Sequence, residues 1–184
     1  MSTNIEIEAK ALINKEGYEL LTKDLKKYKQ INYYIDYSDL SLSKTFGLRI
    51  RFKNNKYELT LKTDLEEGKL ETNQIISEEV FLNFKEKGLF PNGEVKNHLL
   101  LLGVNVNELK IFTTLLTYRS DVRINESLIS IDKNEYNNIA DYEVECESSS
   151  MIEAMNVLRE YLNKNKVPFS WNKVTKLERA IKSL

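Results

Sequence analysis

Ile5-Glu6-Ile7-Glu8-Ala9-Lys10 alternates apolar and charged residues with period two, the signature of a half-buried strand. Glu6, Glu8 and Lys10 fall on one face, and Ile5, Ile7 and Ala9 on the other. Carboxylates at i and i+2 on a strand repel, and nothing within this strand compensates for that. Such a pair asks for a cation. The expectation is that Glu6 and Glu8 hold a divalent metal, and that the rest of the chain supplies further ligands and the groups that bind a phosphate-bearing substrate.

The same alternation recurs along the chain. Residues 47–53 set Leu48, Ile50 and Phe52 against Arg49, Arg51 and Lys53, and residues 56–63 set Tyr57, Leu59 and Leu61 against Glu58, Thr60 and Lys62. Asn54-Asn55 between them tolerates positive φ and predicts a tight hairpin, which places Arg51 opposite Glu58 and Arg49 opposite Thr60. The two charged faces then coincide. Further strands are predicted over 33–37, 70–76 (with Glu71 and Asn73 on one face), 110–124 (Thr117, Arg119, Asp121, Arg123), 127–132 and 139–147. The last sets Tyr142, Val144 and Cys146 against Asp141, Glu143, Glu145 and Glu147. With the first stretch these make eight strands. Helical spacing predicts helices over 16–29, over 78–87 with Gly88 as its stop, through Leu102 up to Gly103, over 151–163 and over 172–183.

The 184 residues, 41% hydrophobic and 30% charged, fit one globular domain spanning 1–184 that buries roughly 70% of its unfolded surface. A net charge of −1 argues against a nucleic-acid partner, and the longest apolar run, Leu99 to Leu102, argues against a membrane span. No leader-like apolar region opens the chain, and the lone Cys146 suits a reducing compartment, so the expected location is cytoplasmic. Monomer and homodimer are both compatible with the sequence.

Alternating charge by itself describes a sheet with one wet face. Two features point further. The charges are segregated by strand: Glu6 and Glu8 on one, Glu143, Glu145 and Glu147 on another, Arg49, Arg51 and Lys53 on a third, Arg119 and Arg123 on a fourth. They are also balanced, with seven bases and seven acids, Asp132 among the acids, on the charged parity. Eight such strands, with helices over their apolar side, predict an antiparallel β-barrel with a charged interior wide enough for a small ligand. Carboxylates on one wall suit hard cations such as Mg²⁺ or Mn²⁺, and arginines on others suit phosphate oxygens.

Glu6-Ile7-Glu8-Ala9-Lys10 resembles the ExExK signature of the CYTH superfamily, also called triphosphate tunnel metalloenzymes. The likeness extends through Leu48-Arg49-Ile50-Arg51, Leu59-Thr60-Leu61-Lys62, Tyr118-Arg119, Ile131-Asp132 and Tyr142-Glu143-Val144-Glu145. It ends in Thr175-Lys176-Leu177-Glu178-Arg179, which is similar to the family's SKxxR element with Thr in place of Ser. The resemblance implies an α+β fold, an eight-stranded antiparallel tunnel covered outside by helices. It implies Glu6, Glu8, Glu143 and Glu145 as metal ligands, with Asp132 able to join them. Lys10, Arg49, Arg51, Lys62, Arg119, Lys176 and Arg179 would grip phosphates, and Glu71 would orient a base. Glu6, Glu8, Lys10, Glu143 and Glu145 would be the catalytic set.

The activity so implied is divalent-metal-dependent hydrolysis of a small-molecule triphosphate, with inorganic triphosphate first because it asks for nothing beyond a charged tunnel. A thiamine triphosphatase, a class IV-type adenylate cyclase and a noncatalytic polyphosphate- or nucleotide-binding module are the alternatives. No histidine is required; His98 lies in a predicted helix and reads as structural, and Cys146, on the apolar parity, as a packing residue.

Overall fold

A computed structural model describes residues 2–184. Its elements in chain order are β1 (Ser2–Glu6), β2 (Glu8–Ile13), α1 (Lys15–Thr22), β3 (Tyr28–Asp36), β4 (Phe46–Lys53), β5 (Lys56–Asp64) and β6 (Lys69–Ile76). Then follow α2 (Glu78–Lys87), α3 (Glu94–Leu101), β7 (Lys110–Ile124), β8 (Ser127–Tyr136), β9 (Ile139–Glu147), α4 (Met151–Lys164), β10 (Phe169–Trp171) and α5 (Lys176–Lys182). The class is α+β, and every strand pair in which partners are defined is antiparallel.

The chain divides into two compact units: 1–5, 30–65 and 69–115 form the first, and 6–29, 66–68 and 116–184 the second. In the first, the strand order is β1-β6-β5-β4-β3. Asn54 and Asn55 close the β4–β5 hairpin with φ of 51° and 58°, and the register pairs Arg51 with Glu58 and Arg49 with Thr60, as predicted. Asparagine is among the few non-glycine residues that accept this left-handed conformation. Leu48, Ile50, Leu59 and Leu61 are fully buried on the apolar face, beneath Phe81 and Phe84 of α2 and Val95 and Leu99 of α3. Tyr57 stacks on Phe81 at 4.4 Å between ring centroids. Ser77 accepts from the Val80 N–H at the start of α2, and Gly88, φ 71°, ends it where the sequence puts the stop.

In the second unit the order is β7-β8-β9-β2-β10. Ala9, Ala11, Ile129, Ile131, Val144 and Cys146 line the apolar side and pack on Ala154, Leu158 and Leu162 of α4 and on Tyr18 and Leu21 of α1. Cys146 is wholly buried there, and burial pushes its thiol up to about 11, which suits packing and not nucleophilic chemistry.

Four boundaries differ from expectation. The opening alternation is two strands: the ladder breaks at Ile7, and β1 borders β6 whereas β2 pairs with β9. Phe169–Trp171 adds β10 against residues 11–13, so ten strands replace eight among the described residues, with β1 and β10 as sheet edges. The first helix stops at Thr22, and β3 begins at Tyr28, because Tyr28 to Asp36 alternates a half-buried side with a polar side carrying Gln30 and Asn32. Finally, β8 runs on to Tyr136, and Asn137-Asn138, with φ of 44° and 62°, turns it into β9 by the same device as Asn54-Asn55.

Candidate active site

Register across β7, β8 and β9 sets up the second unit's charged face. Arg119 lies opposite Asp132, Asp132 opposite Glu143, and Lys10 opposite Glu145. Three carboxylates, from Asp132, Glu143 and Glu145, therefore converge, with one oxygen of each lying within 4.8 Å of the others. Asp132 and Glu143 have no exposed side-chain surface, and Glu145 has 12%. Burying three like charges together is strongly unfavourable unless cations accompany them.

The cations come from α5 and β7. Thr175 caps α5 in a reciprocal box: its side chain accepts from the Glu178 N–H, and the Glu178 carboxylate accepts from the Thr175 N–H at 2.7 Å. The cap fixes the first turn, which sends Lys176 and Arg179, three residues apart, to the same side. The Lys176 ammonium donates to Glu145 at 2.6 Å, lies 2.9 Å from Asp132, and also pairs with Glu143. Arg179 donates through Nε to Asp141 at 2.8 Å and through Nη2 to Glu143 at 2.8 Å. Arg119 forks onto Asp132 at 2.7 and 2.6 Å and reaches Glu145 at 2.6 Å. Asn172 anchors the approach to α5, its N–H donating to the Lys10 carbonyl at 2.8 Å and its amide to Glu143.

These contacts separate the carboxylates electrostatically. Burial alone raises a carboxyl pKa, but Lys176, Arg119 and Lys10 overcome it and hold Glu145 well below the ordinary range. For Glu143 burial prevails over Lys176 and moves it upward. Burial lowers the pKa of Lys10, but Glu8, 2.6 Å away, and Glu145 reverse that and raise it. Glu6, half-buried, ends β1 two residues before Glu8. Arg123 and Glu147 are exposed at the margin.

The first unit carries its own charged face. Lys62 pairs with Glu71 at 2.7 Å, and Arg51 Nε donates to Asn32 Oδ1 at 2.9 Å. Although burial pushes Glu71 upward, Lys62 and Arg49 lower it to about 2. Thr60 donates to Asn73 at 2.7 Å, whereas the buried Arg49 Nε has no hydrogen-bond partner. Gln30, 1% exposed, also has neither amide atom hydrogen-bonded within the protein. His98 is half-buried with Nδ1 3.2 Å from Thr72 Oγ1.

Of the residues singled out in the sequence, Lys10, Asp132, Glu143, Glu145, Arg119, Lys176 and Arg179 thus meet in one cluster with Glu8 beside Lys10. Arg49, Arg51 and Lys62 share the first unit's face. Asp141, Tyr28 and Asn172 were missed as site residues. Asp141 had a usable signal, the same strand parity as Glu143 and Glu145. Tyr28, whose hydroxyl donates to Asp121 at 2.5 Å and is raised by burial and by that bond, was hidden by the helical reading of its segment.

The donor set fits a divalent metal. Three convergent carboxylates are hard oxygen ligands, and an octahedral Mg²⁺ at about 2.1 Å from each needs oxygens roughly 3 to 4.2 Å apart, so the observed spread closes by a small contraction. The Lys176 ammonium lies amid them, paired with all three.

The second unit thus carries buried carboxylates interleaved with bases on one face of an antiparallel sheet. Residues 4–179 match the model of the CYTH domain, and the chain belongs to that family. It is 34% identical over 177 residues to YjbK of Bacillus subtilis (strain 168), named as a candidate triphosphatase, covering 91% of this chain and 90% of that one. Among solved structures, a candidate adenylate cyclase (bh2851) from Bacillus halodurans superposes with a TM-score of 0.89 at 32% identity, covering 97% and 98% of the two chains. HpAC1 from Hippeastrum, a candidate adenylyl cyclase described as having a dominant triphosphatase activity, superposes with a TM-score of 0.81 over 97% and 96% at 23% identity, a likeness of fold. The α+β fold is thus the fold of CYTH proteins.

Proposed function

We propose that this chain, as one functional domain over 1–184, is a divalent-metal-dependent triphosphatase. Its substrate in this reading is inorganic triphosphate, cleaved to pyrophosphate and phosphate. The observation that carries the reading is the buried triad of Asp132, Glu143 and Glu145 interleaved with Lys176, Arg119 and Arg179. A pure anion binder gains nothing from buried carboxylates, and a wet sheet face has no reason to bury them. The name given to the 34% identical Bacillus subtilis relative supports the same activity.

Glu6, Glu8, Asp132, Glu143 and Glu145 are assigned to Mg²⁺ or Mn²⁺. When bound, the metal neutralises phosphate charge and lowers the pKa of its water. Lys10, Arg119, Lys176 and Arg179 take phosphate oxygens, offsetting the negative charge that repels a nucleophile. Arg49, Arg51 and Lys62 keep the phosphate role that the resemblance implies, with Glu71 holding the Lys62 ammonium in place. The proposal carries a cytoplasmic location and a small-molecule partner with it. The described residues contain no helix long and apolar enough to cross a membrane.

Phosphate release from inorganic triphosphate, thiamine triphosphate and ATP, each with Mg²⁺ and Mn²⁺, tests the reading. Fastest release is expected from inorganic triphosphate, and Glu145→Gln lowers kcat/KM by on the order of 10²-fold with the fold intact by circular dichroism. No release from any of the three refutes the hydrolase. The name of the 32% identical Bacillus halodurans protein favours one second reading, cyclisation of ATP, for which the products are cyclic AMP and pyrophosphate without free phosphate.

A further inference from the structure

The Lys176 ammonium lies where the oxygens of Asp132, Glu143 and Glu145 converge, which is the position their geometry offers to a metal. Two cations cannot share it. A divalent ion about 2.1 Å from those oxygens would overlap an ammonium 2.6 to 2.9 Å from two of them. The triad cannot stay bare either, because three buried carboxylates without a cation repel one another at short range and low dielectric.

Other bases of the cluster are less free to leave. Arg119 is held by a two-pronged fork on Asp132 from within β7, whose residues Leu116 to Ile124 pair with β8 on either side of it. Arg179 sits at the edge of the triad, on Asp141 and Glu143, and also donates to the Val174 carbonyl. Among the described residues, Lys176 alone pairs with all three carboxylates. It does so on a flexible four-carbon stem from the first residue of a seven-residue helix.

We propose that Lys176 is the resident cation of the triad. It holds Asp132, Glu143 and Glu145 in ligating positions until a divalent metal replaces its ammonium, which is then free for a phosphate oxygen. The inference rests on the metal-binding reading of the triad. It makes Lys176 a positioning residue for the metal ligands before it is a substrate contact. It also makes metal affinity without substrate low, since every ion that enters must break three ion pairs.

The test is calorimetric titration of Mn²⁺, without triphosphate, into the wild type, Lys176→Met and Arg179→Met. Lys176→Met is expected to bind Mn²⁺ roughly tenfold tighter or better, and Arg179→Met, which removes an equal charge from the triad's edge, to gain clearly less. If Lys176→Met proves unfolded, Lys176→Gln replaces it, since its amide still donates to the carboxylates but leaves the charge position vacant. Equal affinity in wild type and Lys176 variant, or equal gains in the two variants, overturns the exchange and leaves the metal site standing. Absence of Mn²⁺ binding in all of them overturns both the exchange and the metal site.

Discussion

Glu71 and Lys62 illustrate what one ion pair does in a sheltered place. The pair is 2.7 Å long with side chains 13% and 17% exposed, and the Glu71 carboxyl sits at about 2 against an ordinary 4.5. A depressed folded-state pKa gives stability that is complete above the unfolded value and is lost as pH falls from about 4.5 towards 2. Between pH 6 and pH 3 the loss carried by the Glu71 carboxyl, which Lys62 and Arg49 together hold down, is on the order of 1–2 kcal/mol. Urea denaturation at the two pH values should show that loss in the wild type and a correspondingly smaller one in Glu71→Gln. An identical loss in both would mean that Glu71 is not the titrating group. Residue roles were only partly legible beforehand. Strand parity gave the faces and the signs of Asp132 and Glu143, and the resemblance singled out Lys176, but a list of opposite charges does not say which pair forms when no ligand is bound. Lys176 was expected on phosphate and is found on carboxylates.

At the scale of elements, α5 is short and depends on its cap. Thr175 and Glu178 each supply one side-chain acceptor of the reciprocal box, and the first turn it fixes carries both Lys176 and Arg179. Thr175→Ala should lower stability by about 1 kcal/mol, measured by chemical denaturation, and should raise KM for triphosphate through loss of aim of the two bases. Unchanged KM with lowered stability would confine the cap to a structural part. Hairpins were the most legible elements, because Asn54-Asn55 fixes register through backbone geometry before any tertiary contact forms. Asn137-Asn138 carries the same signal and accounts for the added length of β8. The break at Ile7 was illegible for a definite reason. Side-chain alternation persists across it, while the change is in which strand accepts the backbone hydrogen bonds, and that leaves no mark on parity.

For the whole molecule, two apolar clusters share no buried residue, and the chain passes from one unit to the other within β1, β3 and β7 and on either side of residues 66–68. The α+β class was legible because each strand shows its apolar face plainly. The division was not, since the units interleave along the chain and no linker, composition shift or proline-rich stretch announces them. Gln30 brings a consequence of another kind. Its amide is buried with both ends unanswered by the protein, and such a group is unfavourable by about 1–3 kcal/mol. Gln30→Leu, close in length and without polar atoms, should therefore raise the melting temperature by several degrees, read by calorimetry. Such a rise would mean that the fold holds an unspent reserve of robustness at a single inward position. An engineer seeking a hardier catalyst would start there, and a lineage adapting to warmer surroundings would have one substitution within reach.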